Sequence, residues 1–299
     1  MRLSTIKLRG AEIVGIVSPG GIVPMAAVNA HKGTNWQTDM LSLIEAGELK
    51  AVTDWYNAGG KGELGAMAGL VPFADVVYAP LYRNPKRMLG VGLNYKSHAG
   101  DLNANIPEPF PGTFTKPASC IVGPGDHIKI PDLPGAEKTT AEGELGVIMG
   151  KACKDVDAAN WLDYVAGFTT LLDMTEEHIL KKNPRFLNMT KAFDTFFSFG
   201  PELVTPDEIN DVLALEVQTV KNGEVIAKNV VSNMAYTPAH VVALFSRVMG
   251  WLPGDVLSTG TPQAVQIEDG DVAECRIFGP GGFEARPLKN PVVDLRLKK

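Results

Sequence analysis

Thr140-Ala141-Glu142-Gly143-Glu144-Leu145-Gly146-Val147-Ile148-Met149-Gly150 is the stretch on which the fold turns. Read as a strand, it projects Glu142 and Glu144 from the same face, because side chains two apart share a side. Their carboxylates then stand roughly 6 to 7 Å apart, and at an effective dielectric of about 20 they repel by on the order of 2.5 kcal/mol. A solvated strand face would relieve this with water. Here the strand runs straight on into Leu145, Val147, Ile148 and Met149, which read as interior, so a compensating charge is expected instead.

Outward from this segment, strand-type runs dominate. They are Arg87 to Leu93, Ile121 to Val122, His127 to Ile130, Phe168 to Met174, Leu213 to Lys221 before a turn at Asn222-Gly223, Val256 to Thr259 and Asp271 to Phe278. Few helices interleave with them. The clearest is capped by Thr237, has Pro238 in its first turn, and carries Val241, Val242, Leu244, Phe245, Val248 and Met249 up to a stop at Gly250. So many strands with so few helices predict a mostly β, α+β fold with a partly rolled or barrel-like sheet, not a doubly wound parallel one.

Toward the amino terminus, Thr5 to Ala27 reads as two or three strands in tight turns. Asp39 can cap a helix through Leu41, Leu43 and Ile44, and Leu49 to Tyr56 reads as another before Gly59, Gly60 and Gly62. The linker-like Ala79-Pro80-Leu81-Tyr82-Arg83-Asn84-Pro85 then divides a small α+β unit, 1–82, from a larger unit, 83–299.

The composition fits a globular chain. In 299 residues, 45% are apolar, 21% are charged, and 28 Lys+Arg against 34 Asp+Glu give a net charge of −6. Disorder is excluded as the main state, and the scattered basic residues point away from nucleic acid or an anionic membrane surface toward a small-molecule partner. Gly15, Pro19, Gly20, Gly21 and Pro24 interrupt any signal-type apolar run and no stretch reaches a bilayer span, so a cytoplasmic location is expected. Cys120, Cys153 and Cys275 are distant from one another and read as free thiols.

Beyond Glu142 and Glu144, Asp173 ends the apolar run Phe168-Thr169-Thr170-Leu171-Leu172, where a carboxylate is rarely left unpaired. Either a lysine pairs with it, or it joins the two glutamates around a hard divalent cation such as Mg²⁺ or Mn²⁺. His98 lies three residues before Asp101, one helical turn, so the acid can orient a general base. An ordinary surface pair is the other reading. Lys191, before Phe193 and the aromatic Phe196, Phe197 and Phe199, is either a partly buried oxyanion stabiliser or a snorkelling surface lysine. Thr259-Gly260-Thr261-Pro262 ends a strand in a turn that can offer hydroxyl and backbone donors. Gly90-Val91-Gly92 lacks a third glycine for a dinucleotide fingerprint, and neither a Walker loop nor a Gly-x-Ser-x-Gly elbow is present.

The ordered set Gly92-Leu93-Asn94-Tyr95 with His98, Phe114-Thr115-Lys116-Pro117, Glu142-Gly143-Glu144-Leu145, Asp173, Lys191-Ala192-Phe193-Asp194-Thr195, Gly200-Pro201 and Thr259-Gly260-Thr261-Pro262 resembles the fumarylacetoacetate hydrolase family from about Arg87 onward. The resemblance implies a β-roll or mixed β-sandwich catalytic unit, a homodimer, and Mg²⁺ or Mn²⁺ held by Glu142, Glu144 and Asp173. It further implies catalytic His98, Asp101 and Lys191, candidate substrate contacts at Asn94, Tyr95, Thr261 and Gln263, and a lid from His98 through about Phe110. The chain departs from the family pattern in having Asp101 for the usual Glu, Glu176-Glu177-His178 where an arginine and an acid are common, and Gln263-Ala264 after the Thr-Pro turn. The expected activity is hydrolysis of a carbon–carbon bond in a β-diketo acid such as an acylpyruvate. Decarboxylation or tautomerisation of an oxo acid at the same site is the alternative, and a non-catalytic binding protein of this fold is a third.

Overall fold

The computed structural model describes residues 1–101 and 104–297, with the backbone alone at Asp101. The chain opens as an antiparallel meander of β1 (Arg2–Leu8), β2 (Ala11–Ser18) and β3 (Gly21–Pro24). Helices α1 (Met25–Lys32), α2 (Met40–Glu45), α3 (Leu49–Trp55) and the single turn α4 (Lys61–Glu63) come next, and β4 (Val71–Pro72) returns to pair with β3. Asp39 caps α2 as expected, accepting from Ser42 N at 2.8 Å.

Then come β5 (Met88–Gly92), α5 (Lys96–Asp101), β6 (Gly112–Thr115), β7 (Ile121–Val122), β8 (Ile128–Ile130), and two long central strands, β9 (Thr139–Met149) and β10 (Val165–Glu176). Helices α6 (Glu177–Lys182) and α7 (Leu187–Thr190) precede β11 (Phe197–Phe199) and β12 (Glu202–Val204). The hairpin β13 (Glu216–Lys221) and β14 (Glu224–Val230) turns at Asn222-Gly223, both at positive φ. Helix α8 (Pro238–Val248) carries the expected Thr237 cap, and β15 (Val256–Ser258), β16 (Val265–Gln266), β17 (Val272–Gly279), β18 (Phe283–Glu284) and β19 (Leu288–Asp294) complete the chain.

Among the described residues a thirteen-stranded sheet runs β4-β3-β2-β1-β12-β10-β9-β15-β5-β6, with β11, β16 and β7 attached off this path. A six-stranded sheet runs β14-β13-β17-β19-β8, with β18 on β17. Neither path returns to its first strand, so the mostly β, mixed-sandwich expectation holds and the barrel-like form does not close. No helix among the described residues is long and apolar enough to cross a membrane.

Every residue of β9 is buried because both faces of the strand are covered. Leu145, Val147 and Met149 join Leu172 and Met174 of β10 in one core with Val217, Cys275 and Ile277 of the smaller sheet. Ile148 and Leu171 belong to a second core with Phe197, Phe199 and the amino-terminal Leu3 and Val14. By alternation, Glu142, Glu144 and Asp173 project toward this second side. Gly143 between the glutamates faces the smaller sheet, where a Cβ would stand 2.8 Å from Gln218 O, and its N–H donates to Thr219 Oγ1 at 2.9 Å. The Glu-Gly-Glu spacing thus serves two surfaces at once, charge on one and close sheet packing on the other.

Candidate metal centre

Antiparallel register sets Glu142 of β9 directly opposite Asp173 of β10 and Glu144 opposite Leu171. One carboxylate oxygen from each of Glu142, Glu144 and Asp173 lies within 4.8 Å of the others, and all three residues are buried. The repulsion expected from the sequence is answered by two lysines. Lys191 Nζ reaches Glu142 Oε2 at 2.9 Å and Asp173 Oδ2 at 2.6 Å, only 4% of the residue is exposed, and its ammonium lies 4.6 Å from the Phe114 ring centre. Lys191 is therefore no surface lysine.

Lys116 Nζ stands 2.6 Å from Asp173 Oδ1 and donates to the carbonyls of Met174, Lys191 and Phe196 at 3.1, 2.7 and 2.5 Å. Asp173 therefore pairs with lysines as one reading expected, and it also stands in the acidic trio that the other reading needs. Lys116 had no role expected of it from the sequence. It entered only as part of the Phe114-Thr115-Lys116-Pro117 motif, with no chemistry attached.

The three carboxylates differ in their support. Burial pushes Glu142 up, but Lys191, His98 and a 2.5 Å hydrogen bond from Thr175 Oγ1 outweigh it and hold the carboxyl below its ordinary range. Glu144 touches neutral donors, Ser258 Oγ and Gly260 N, the latter at 2.7 Å. Burial first, then Asp173 and Glu142, push its carboxyl up to about 8. Gly260 can aim its N–H there because it adopts φ +100° against Asn94, where a Cβ would stand 2.7 Å from the Asn94 Cβ. Glu144 Oε1 has no hydrogen-bond partner among the described residues. A buried trio of hard oxygen donors with one oxygen left over fits Mg²⁺ or Mn²⁺.

A cavity of about 510 Å³ opens beside this centre and is lined in part by Glu142, Lys191, His98 and Thr261. His98 sits on α5 and is 6% exposed. Its expected partnership with Asp101 lies outside the described residues, because that side chain is not described. Ala104 and Pro107, from the segment expected to form a lid, also face the cavity.

The remaining candidates separate. Thr261 lines the cavity while its hydroxyl donates to Gln263 O at 3.0 Å, and beyond it Ala264, not Gln263, contributes to the wall. Asn94 is fully buried: Nδ2 donates to Tyr236 O at 2.9 Å and Thr259 O at 2.7 Å, and Oδ1 accepts from Tyr236 N at 2.8 Å. Its amide is thus committed to backbone. Tyr95 packs its ring in the core of the smaller-sheet side, and burial followed by the Glu144 charge raises its phenol. Thr175 and Ser258, which brace Glu142 and Glu144, were not singled out in the sequence because their role exists only through strand register.

Comparison with known proteins finds relatives along most of the chain. A protein of Archaeoglobus fulgidus of uncharacterised function is 37% identical over 208 residues, 69% of this chain and 80% of that one. The crystal structure of maleylpyruvate hydrolase from Sphingobium sp. SYK-6 in complex with manganese(II) and pyruvate superposes with a TM-score of 0.77 at 27% identity, covering 98% of this chain and 99% of that one. A 5-carboxymethyl-2-hydroxymuconate delta-isomerase from Mycobacterium smegmatis gives 0.71 at 26% identity over 98% and 99%. The family described as fumarylacetoacetate (FAA) hydrolase C-terminal matches residues 87–293, and with more than two thirds of the sequence so matched the chain belongs to the fumarylacetoacetate hydrolase family.

Proposed function

We propose that the chain is a divalent-metal-dependent hydrolase that cleaves a carbon–carbon bond in an acylpyruvate-like 2,4-dioxo acid. The observation that carries this reading is the meeting of Glu142, Lys191 and His98 on one cavity beside the buried acidic trio. The likeness to a hydrolase whose structure holds manganese and pyruvate supports it. Mg²⁺ or Mn²⁺ held by Glu142, Glu144 and Asp173 would supply Lewis acidity toward the 2-oxo acid end of the substrate.

The protein's own groups perform the proton work. His98 Nε2 or Nδ1 takes a proton from a water attacking the acyl carbonyl. The Lys191 ammonium stabilises the oxyanion that forms there. Collapse of that adduct breaks the bond between the acyl carbon and the methylene carbon. The acyl carbon leaves as a carboxylic acid, and the methylene carbon takes the proton held by His98, giving pyruvate as the second fragment. The apolar remainder of the cavity wall limits competing water.

Incubation of acetylpyruvate with the protein and Mg²⁺ or Mn²⁺, followed by loss of enol absorbance and by NMR, tests the reading: two carboxylic fragments are expected. The isomerase among the structural relatives favours a second reading, chemistry on an oxo acid without water addition. Release of carbon dioxide or a shifted double bond from oxaloacetate-like substrates would replace hydrolysis with it. The family resemblance also leads us to infer a homodimer, and the interrupted amino-terminal apolar run a cytoplasmic location, which sedimentation and fractionation would check.

A further inference from the structure

One wall of the cavity comes from a stretch of chain with little of its own to hold it. Asn105-Ile106-Pro107-Glu108-Pro109-Phe110-Pro111 lies outside every helix and strand, and three of its seven residues are prolines without an N–H. No ladder of backbone bonds can therefore tie it to a neighbour. Pro107 lines the cavity and its ring packs over Gly112, where a Cβ would stand 3.1 Å from Pro107 Cγ. Glu108, Pro109 and Phe110 are exposed.

Tyr236 reaches across to this stretch, its Oη donating to Pro107 O at 2.6 Å. Among the described residues this is the one hydrogen bond that joins 105–111 to the rest of the chain. Tyr236 is itself firmly placed. Its N–H donates to Asn94 Oδ1 at 2.8 Å, its carbonyl accepts from Asn94 Nδ2 at 2.9 Å, and the neighbouring Ala235 N donates to Asn94 O at 2.8 Å. Its ring centre lies 5.4 Å from that of His240 in the first turn of α8. The backbone of Tyr236 thus anchors the entry to α5, which carries His98, while its phenol anchors a wall of the cavity that His98 also lines. Tyr236 is not among the described residues that line the cavity.

Resting on the hydrolase reading above, we infer that Tyr236 is a positioning residue: its hydroxyl holds the 105–111 wall closed over the bound oxo acid and sets how tightly the substrate is held, not how fast its bond is cleaved. A neutral hydrogen bond of this kind is worth about a factor of five in an equilibrium. With no second polar tie to the wall, losing it lowers the fraction of protein in the closed form, and apparent affinity falls with that fraction.

Tyr236→Phe keeps the ring and removes only the oxygen. With manganese-loaded protein and acetylpyruvate, KM should rise about fivefold while kcat stays within about twofold. Calorimetry with pyruvate should show about the same fivefold loss without any turnover. A 4-fluorophenylalanine in place of Phe110 reports on the wall itself in the metal-free protein, and its fluorine resonance should narrow when Tyr236→Phe is introduced. His240→Ala removes the neighbouring ring but keeps the hydroxyl, and should leave all of these readings as in the parent. An unchanged fluorine line or unchanged pyruvate affinity in Tyr236→Phe overturns the inference. So does a fall in kcat alone, which would mean that the hydroxyl acts through His98, or an equal loss of affinity in His240→Ala, which would assign the effect to ring packing. A parent protein that turns over no acylpyruvate, with the line narrowed and pyruvate held more weakly in Tyr236→Phe, defeats hydrolysis and leaves the role of Tyr236 standing.

Discussion

Glu144 is the carboxylate of the trio with the least cationic support, and its chemistry sets the first prediction. Glu142 and Asp173 touch ammoniums, whereas Glu144 is met by a hydroxyl and an amide. Its carboxyl, ordinarily near 4.5, is pushed to about 8 in the metal-free fold. Between those values the folded chain holds a proton that the unfolded chain releases, so this group makes metal-free stability fall as pH rises across the window. A cation must displace the same proton, and metal affinity therefore rises with pH over the same range. Glu144→Gln keeps an acceptor for Ser258 and Gly260 but removes the charge. Turnover should drop by about a thousandfold, as for the loss of a principal electrostatic contact. Calorimetric manganese uptake should vanish, and thermal melts of the metal-free variant should lose the decline, with circular dichroism unchanged. Uptake of manganese by the variant as strong as by the parent would remove Glu144 from the centre. At this scale the sequence was informative where the signal is local. Two-residue periodicity announced Glu142 and Glu144, and an acid closing an apolar run announced Asp173. Lys116 stood in the quoted Phe114-Thr115-Lys116-Pro117 motif but drew no role, because its partner is Asp173, far along the chain.

Helix α5 shows how an element depends on what holds its entry. Six residues make a helix too short to persist alone. Its start is fixed by Asn94, whose amide ties the chain to Tyr236 and Thr259, and by Ser97 Oγ, which donates to Pro262 O at 2.9 Å. Asn94→Ala should cost about 3 kcal/mol in urea unfolding, because buried backbone groups lose their partners, and should also raise KM and lower kcat as His98 shifts. Thr237→Ala, which removes only the α8 cap, should cost about 1 kcal/mol and leave turnover unchanged. Equal turnover in both variants would break the link between Asn94 and His98. Asn94 was expected at the substrate through the family resemblance, and its burial is a tertiary fact that no local pattern carries. The strands were legible through alternation and apolar runs. Helices α6 and α7 were not, since Glu177–Lys182 is too short to establish a period and Pro184 breaks the pattern before Leu187.

Across the whole molecule, the acidic trio is a property of the assembled sheet, since Glu142 and Glu144 on β9 meet Asp173 only through pairing with β10. The same sheet continues from β10 through β12 to β1, so strands from the beginning of the chain extend the layer that carries the three acids. With all groups ionised, three carboxylates against Lys116 and Lys191 leave one uncompensated negative charge in a buried space. A divalent cation that binds there binds the folded chain and not the unfolded one, so its binding energy becomes folding stability. At one hundred times its dissociation constant the gain is about 2.7 kcal/mol. For a chain of this size, with an unfolding entropy of about 2.1 cal/mol/K per residue, that corresponds to a rise in Tm of roughly 4 °C. Melting curves with Mg²⁺ or Mn²⁺ should show the rise, excess chelator should reverse it, and Glu144→Gln should abolish it at pH 7. A rise of the same size in that variant would place the responsible cation elsewhere on the protein, and the charge left over among the three acids would then need another partner.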